Sequence, residues 1–160
     1  MFFVVVVLCT DVLKVGVWQL LQDIDDPELR KLAHSLPMTV LRSRATGSTR
    51  KYLGAFRRWK AWAKGHALPV FPAQGHHVAL YLQHLAKSLE SKSAAEEAVN
   101  ALGWVHSLAG VQPPSSSPFM RATLQGIQRM LAKPVQKKER IMSQMLAELV
   151  EDNIRFERIN

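Results

Sequence analysis

The sequence predicts an all-α fold, and three observations support this prediction. Apolar residues recur at the spacing of an amphipathic helix in four segments, residues 49–64, 75–88, 93–110 and 118–132. Few alternating runs of β-branched residues follow residue 10, so we expect almost no sheet. The 160 residues are about the length of one domain, and a composition of 48% hydrophobic and 21% charged residues is typical of a folded globular protein.

The helix over residues 49–64 has the clearest division into two faces. We expect Thr46 or Ser48 to cap it and Gly65 to end it. Its aromatic side chains share one face, which favours packing in the core over stacking on nucleic-acid bases. The inner face contains Tyr52, Phe56, Trp59, Trp62 and Ala63, and the outer face contains Arg50, Arg57, Lys60 and Lys64, flanked by Lys51 and Arg58.

The next two helices have simpler patterns. We expect the helix over residues 93–110 to begin with a capping box at residues 93–96 and to end at Gly110. The predicted buried residues are Val78, Tyr81, Leu82 and Leu85 in the helix over 75–88, and Ala95, Val99, Leu102, Val105 and Leu108 in the helix over 93–110.

The helix over residues 118–132 has clear start signals, but the role of its outer face is open. Ser117 is the predicted cap and Pro118 the first helical residue. Gly126 costs about 1 kcal/mol relative to alanine in mid-helix, so we expect a close helix crossing or nearby backbone there. The outer stripe suits contacts to bases or phosphates, but an ordinary solvated face fits it equally well. The predicted inner residues are Phe119, Thr123, Ile127, Met130 and Leu131, and the outer ones Arg121, Gln125, Gln128 and Arg129.

The ends of the chain give weaker signals. The apolar run over residues 2–9 is shorter than the roughly 20 residues of a membrane span and lacks the features of a secretory signal. The single cysteine, Cys9, excludes an internal disulfide, so we expect a reducing, intracellular compartment. Weaker helices are predicted over residues 11–22, 27–34 (ended by Pro37) and 143–152.

The basic residues are unevenly distributed along the chain. The formal net charge of +8 favours a polyanionic partner. Eight basic residues and no acid lie between Arg42 and Lys64, and six basic residues against one acid lie between Arg121 and Arg140. The two segments would form one electrostatic surface if the fold brings them together.

No pattern in the sequence indicates an active site or a metal site. It has no Gly-rich phosphate loop, no nucleophile elbow and no zinc-protease motif. His77 and His84 share a helix face, but they lie two turns apart and no cysteine or carboxylate cluster completes a metal site. The acidic pair Glu96 and Glu97 is interpreted as solubilising, with Glu96 in the capping box. We therefore expect no catalysis, no cofactor and no metal.

A series of short stretches follows an order found in one family. The stretches are residues 48–52 (STRKY), 56–59 (FRRW), 78–85 (VALYLQHL), 91–93 (SKS), 106–110 (HSLAG) and 123–129 (TLQGIQR), followed by Lys133 and Pro134. With this ordered set, the chain from about residue 46 to residue 150 resembles the N-terminal core-binding part of the tyrosine recombinases, the phage-integrase family. The resemblance is greatest to the eukaryotic members associated with DIRS-type and Crypton-type mobile elements.

The resemblance implies a fold, a division of the chain and a partner. Such domains are compact bundles of four to five helices, often called SAM-like, which complete a clamp around duplex DNA with a separate catalytic domain. We expect an N-terminal extension with short helices (1–45), the core-binding domain (46–134), and a linker with the first helix of a truncated catalytic domain (135–160). The expected role is DNA binding in recombination and integration, in the nucleus, with double-stranded DNA and with self-association or a full-length recombinase as partners; neither a membrane nor a small-molecule substrate is expected.

The resemblance and the charge distribution select overlapping candidates for DNA contacts. By resemblance, the candidates are Ser48, Thr49, Arg50, Lys51 and Arg58 on the first strong helix, and Gln125, Gln128 and Arg129 on the fourth. The charge distribution selects the same two helices and adds Arg57, Arg121 and Lys133.

The family's catalytic residues have no counterpart at matching positions. Its chemistry requires a tyrosine nucleophile with arginines, a lysine and a histidine, all in the C-terminal domain. Only Tyr52 and Tyr81 occur here, and both fall on apolar faces of the helical domain. We expect DNA binding without strand cleavage by this chain alone. The alternative left open is a helical protein-interaction or dimerisation module that does not bind DNA.

Overall fold

The computed structural model describes residues 11–132, and within this range the chain is all-helical, as predicted. It contains no strand in that range. The α-helices are α1 (Val17–Gln22), α2 (Pro27–Leu41), α3 (Thr46–Gly65), α4 (Gly75–Leu89), α5 (Lys92–Ala109) and α6 (Pro118–Met130), with a 3-10 turn (Pro114–Ser116) before α6. None of these helices is both long enough and apolar enough to cross a membrane.

The helix ends follow local sequence signals where a cap or a glycine is present. Ser117 caps α6 as predicted, with its hydroxyl accepting the N–H of Met120 at 3.4 Å. Gly110 ends α5 in the left-handed conformation, at a φ of 63°. The capping box predicted over residues 93–96 is wrong, because the cap of α5 is Ser91, whose hydroxyl accepts the N–H of Ala94 at 3.4 Å.

Two helices extend beyond their predicted bounds. No side chain caps α3, which begins at Thr46 after Ala45, so the predicted caps Thr46 and Ser48 are wrong. The stop predicted at Pro37 is also wrong, because α2 continues through this proline to Leu41. Val40 and Leu41 pack against the core, and this packing offsets the hydrogen bond that the proline cannot make.

Helix α5 lies at the centre of the bundle and contacts α3, α4 and α6. The aromatic face of α3 is a core face, as predicted: Phe56 and Trp59 are fully buried, and Trp59 Nε1 donates to the carbonyl of Val70 at 2.9 Å. The four residues predicted to point inward from α4 are all buried. Of the residues predicted for α5, Ala95, Leu102 and Val105 are buried and Val99 and Leu108 are partly buried.

The buried face of α6 differs from the prediction. Met120 and Ile127 are buried, whereas Phe119 is 65% exposed and Met130 is 75% exposed. Two apolar stripes overlap on this helix, and the packing against α4 selects the one that contains Met120. Within residues 11–132, the close approach expected at Gly126 is also absent, because a Cβ at this position would meet none of their atoms within 4 Å.

The segment before α2 packs into the same core as the bundle. Val12 and Trp18 are buried members of the hydrophobic cluster. Gly16 lies against the end of α5, where an added Cβ would overlap the carbonyl of Ala109. The division of the chain at residue 46 stays a prediction, and the helix predicted over 143–152 lies outside the described residues.

Candidate nucleic-acid interface

Glu97, on the second turn of α5, binds two basic side chains of α3. Its Oε1 accepts a hydrogen bond from Arg58 Nη2 at 2.7 Å, and its Oε2 lies 3.3 Å from Lys51 Nζ. The Glu97 side chain is 20% exposed, whereas those of Lys51 and Arg58 are 62% and 59% exposed. The carboxylate therefore holds both cations from the inner side while their outer sides stay open to solvent.

The neighbouring residue, Glu96, makes the equivalent contact with α6. Its Oε1 accepts a hydrogen bond from Gln128 Nε2 at 2.8 Å. Consecutive residues of α5 thus bind the outer face of α3 on one side and that of α6 on the other. The interpretation of Glu96 and Glu97 as merely solubilising, with Glu96 in a capping box, is wrong, because both carboxylates are occupied in contacts between helices.

These contacts bring predicted residues of both basic helices to one region around the first two turns of α5. We use the name basic face for Lys51, Arg58 and Gln128, which contact α5, together with the other predicted residues of the same two helices: Arg50 and Arg57 of α3, and Arg121, Gln125 and Arg129 of α6. On α6, Arg121 and Gln125 share the helical stripe of Gln128. On α3, Arg50 and Arg57 lie about a quarter-turn around the helix from the stripe that contains Lys51 and Arg58. All are exposed except Gln128, which is half-buried against Glu96.

Three residues that the sequence places on the outer surface or among the DNA contacts, Thr49, Lys60 and Ser48, are not part of the basic face. Thr49 is buried, and its hydroxyl donates to the carbonyl of Ala45 at 3.3 Å, so its role as a DNA contact stays a prediction. Lys60, expected on the outer cationic face, is half-buried and forms an ion pair with Asp11. Ser48 is exposed in the first turn of α3. Lys133 lies outside the described residues.

The residues that sequence reasoning missed are the two glutamates and Arg44. Arg44 lies over the ring of Tyr52, with its guanidinium carbon 5.4 Å from the ring centroid. The spacing of Lys51 and Arg58, seven residues apart on one stripe of α3, was the available signal for a shared acidic partner. It could not identify that partner, because Arg58 and Glu97 are 39 residues apart in sequence.

Two titratable side chains, His106 and Tyr81, are buried in the core. The fully buried His106 receives the N–H of Ala73 at Nε2 at 2.9 Å, while its Nδ1 lies 2.7 Å from the carbonyl of Leu102. Burial lowers the pKa of His106, although the bond to Leu102 opposes this shift. Burial raises the pKa of the Tyr81 hydroxyl, against the opposing charge of Arg58. Among residues 11–132, no three His, Cys, Asp or Glu side chains form a cluster that could hold a metal ion.

The comparisons with known proteins add no family assignment. No protein-family model matches the sequence, and no curated protein matches it. The resemblance to tyrosine recombinases therefore depends on the ordered stretches alone and stays a prediction.

Proposed function

We propose that this chain is the DNA-binding module of a tyrosine recombinase-like protein that contacts duplex DNA mainly through phosphates, and that it is not catalytic alone. The observation that carries the proposal is the pair of contacts at Glu96 and Glu97. Glu97 holds Lys51 and Arg58 of α3, and Glu96 holds Gln128 of α6, so that both helices selected by the charge distribution are tied to consecutive residues of α5.

The basic face keeps an excess of positive charge after its internal pairing. Without Arg57, it carries five cationic side chains, and Glu96 and Glu97 supply two negative charges, which leaves a net charge of three. An arginine has five N–H donors and a lysine has three. The contacts with Glu97 therefore leave donors on Arg58 and Lys51 that can bond phosphate oxygens. A surface of this kind supports association with a polyanion, in which phosphate contacts dominate the affinity.

Both tyrosines support a binding role rather than strand cleavage. Tyr81 is buried in the core, and the ring of Tyr52 packs 5.8 Å from that of Trp104. A nucleophile must reach its substrate, so the buried phenol of Tyr81 is not placed to attack a phosphodiester, and the half-buried ring of Tyr52 is covered on one side by Arg44. We accordingly assign the chain a part in DNA recombination and integration through binding, with chemistry supplied by a catalytic domain.

A salt titration tests the proposal. Binding of a labelled duplex, followed by fluorescence anisotropy from 50 to 300 mM salt, should weaken with a log–log slope of roughly −0.9 per phosphate contacted. Arg50→Glu with Arg129→Glu should abolish most of the binding. The matched control is Lys31→Glu with Lys87→Glu, which changes the net charge equally at exposed positions outside the basic face. Weak binding that responds equally to both double variants would refute specific use of the basic face.

A second function is favoured by the outer surface of α2. This helix has no buried residue, and Leu29, Leu32 and Leu36 lie on one exposed stripe of it. Such a stripe fits a helical interaction or dimerisation module. Light scattering after size-exclusion chromatography separates the two functions: Leu32→Glu should dissociate an assembly that depends on α2, and it should leave DNA binding by the basic face unchanged.

A further inference from the structure

A cleft of about 490 Å³ lies between the end of α2 and the start of α3. Arg42, Arg44 and Arg50 line it together with the apolar side chains of Met38 and Leu41. Arg42 and Arg44 precede α3 and were not among the predicted DNA contacts. The cleft is therefore a basic site that the helix faces alone do not describe.

Among the residues that the structure describes, no acidic side chain lines this cleft. The sequence between Glu28 and Glu90 contains no acidic residue. The ion pairs among the described residues involve Lys51, Arg58 and Lys60, and none of the three cleft arginines. The guanidinium of Arg44 is positioned by the Tyr52 ring, which limits the freedom it would lose on binding an anion.

The start of α3 forms one side of the cleft. Thr46, at the first position of α3, is a lining residue, and the helix has neither a side-chain cap nor an acidic residue in its first turn. The first N–H groups of a helix have no partner within the helix. Next to three arginines, they add neutral donors that an anionic oxygen can use.

We infer that this cleft binds one phosphate of the DNA backbone, with Met38 and Leu41 against the adjoining deoxyribose. The inference rests on the proposed function and adds to it a specific anchoring point that shares Arg50 with the basic face. Arginine side chains bind phosphate oxygens through paired N–H donors. The volume exceeds what a phosphate alone requires and lies within the range of roughly 300–1,000 Å³ for small-ligand sites. An apolar floor beside the cations suits a phosphate that carries a sugar.

The test uses the full chain and two double variants. Arg42→Gln with Arg44→Gln removes two charges from the cleft, and Lys31→Gln with Lys87→Gln removes two exposed charges elsewhere. Duplex binding is measured by anisotropy across salt. Backbone amide shifts of Thr46, Gly47 and Ser48 are followed by ¹⁵N NMR during titration with duplex and, separately, with inorganic phosphate. The same spectra show whether each variant is folded.

The inference predicts that the cleft variant binds duplex about tenfold more weakly than the control variant at 0.15 M salt. Its log–log slope should be shallower by roughly 0.9, the contribution of one phosphate. Duplex should shift the three amides in the unaltered chain and in the control, but not in the cleft variant.

Two results would overturn the inference in distinguishable ways. If the chain binds duplex with a steep salt dependence but both double variants behave alike, the proposed function stands and the cleft is not its anchor. If duplex does not bind while inorganic phosphate shifts the amides in the unaltered chain but not in the cleft variant, the cleft is a site for a small anion and the proposed function fails.

Discussion

Arg58 on α3 and Glu97 on α5 meet at 2.7 Å, although 39 residues separate them in the sequence. Lys51 shares the same carboxylate, so one acidic side chain neutralises part of the charge of two exposed cations. If the chain binds DNA as proposed, Glu97 has two opposing effects on this ligand: it holds the cations in place, and it repels phosphates that approach them.

Replacement of Glu97 distinguishes these effects. In Glu97→Gln the amide keeps the size of the side chain but removes its negative charge, so we expect duplex affinity to rise by about threefold to tenfold at 0.1 M salt. The melting temperature should change little, because exposed ion pairs contribute about 0–1 kcal/mol. Glu90→Gln, with the same charge change at the exposed end of α4, is the control. Equal affinities for the two variants would show that Glu97 does not influence the ligand.

The orientation of α6 is tested by two adjacent residues. Met120→Ala should lower the free energy of unfolding by about 2–5 kcal/mol, because it removes a fully buried side chain from the contact with α4. Phe119→Ala, at a position that is 65% exposed, should change it by no more than about 0.5 kcal/mol. Urea denaturation followed by circular dichroism measures both. A larger loss of unfolding free energy in Phe119→Ala than in Met120→Ala would mean that the stripe containing Phe119 is the buried one.

Two glycines should respond in opposite directions to alanine. At Gly126 a Cβ would meet no atom of residues 11–132 within 4 Å, so Gly126→Ala should stabilise the chain by about 0.5–1 kcal/mol through helix propensity. At Gly110 the backbone has a φ of +63° and a Cβ would lie 2.7 Å from Val17 Cγ1, so Gly110→Ala should destabilise it by about 1–3 kcal/mol. The melting temperatures of the two variants, measured by thermal unfolding, test both changes in stability. Destabilisation by Gly126→Ala would indicate a contact at that face of α6.

Buried His106 should make the stability fall in mild acid. Its pKa is lowered by burial, so in the folded chain it stays neutral at a pH where the unfolded chain already binds a proton at the usual pKa of 6.5. Stability is therefore complete above pH 6.5 and decreases as the pH falls below it towards the lowered, folded pKa. Urea unfolding at pH 7.5, 6.5 and 5.5 should show this decrease, and His106→Gln should reduce the slope.

If His106→Gln does not fold, an NMR titration of the unaltered chain provides an independent measurement of the His106 pKa. In the unaltered chain, the His106 ring should titrate below its usual range, with Nδ1 protonated in the neutral form because it faces the carbonyl of Leu102. Titration of His106 at or above pH 6.5 would contradict the predicted linkage.

The sequence was sufficient for features that depend on local interactions. The Ser117 cap, the stop at Gly110 and the buried face of α4 follow from side chains a few residues apart. The roles of Glu96 and Glu97 could not be predicted, since their partners are 32 and 39 residues distant. The continuation of α2 beyond Pro37 likewise depends on tertiary packing of Val40 and Leu41, which outweighs the local helix-breaking signal.

The placement of Val12 and Trp18 in the core has a practical consequence for trimming the chain. A shortened protein that starts at Thr46 would match the predicted domain boundary. It would also lose the residues that pack on the bundle: Val12 and Trp18 in the core, Gly16 against Ala109 at the end of α5, and Asp11 paired with Lys60. The newly bared apolar surface would promote aggregation during expression. A protease that cuts between α2 and α3 should therefore leave the two fragments associated until denaturant separates them.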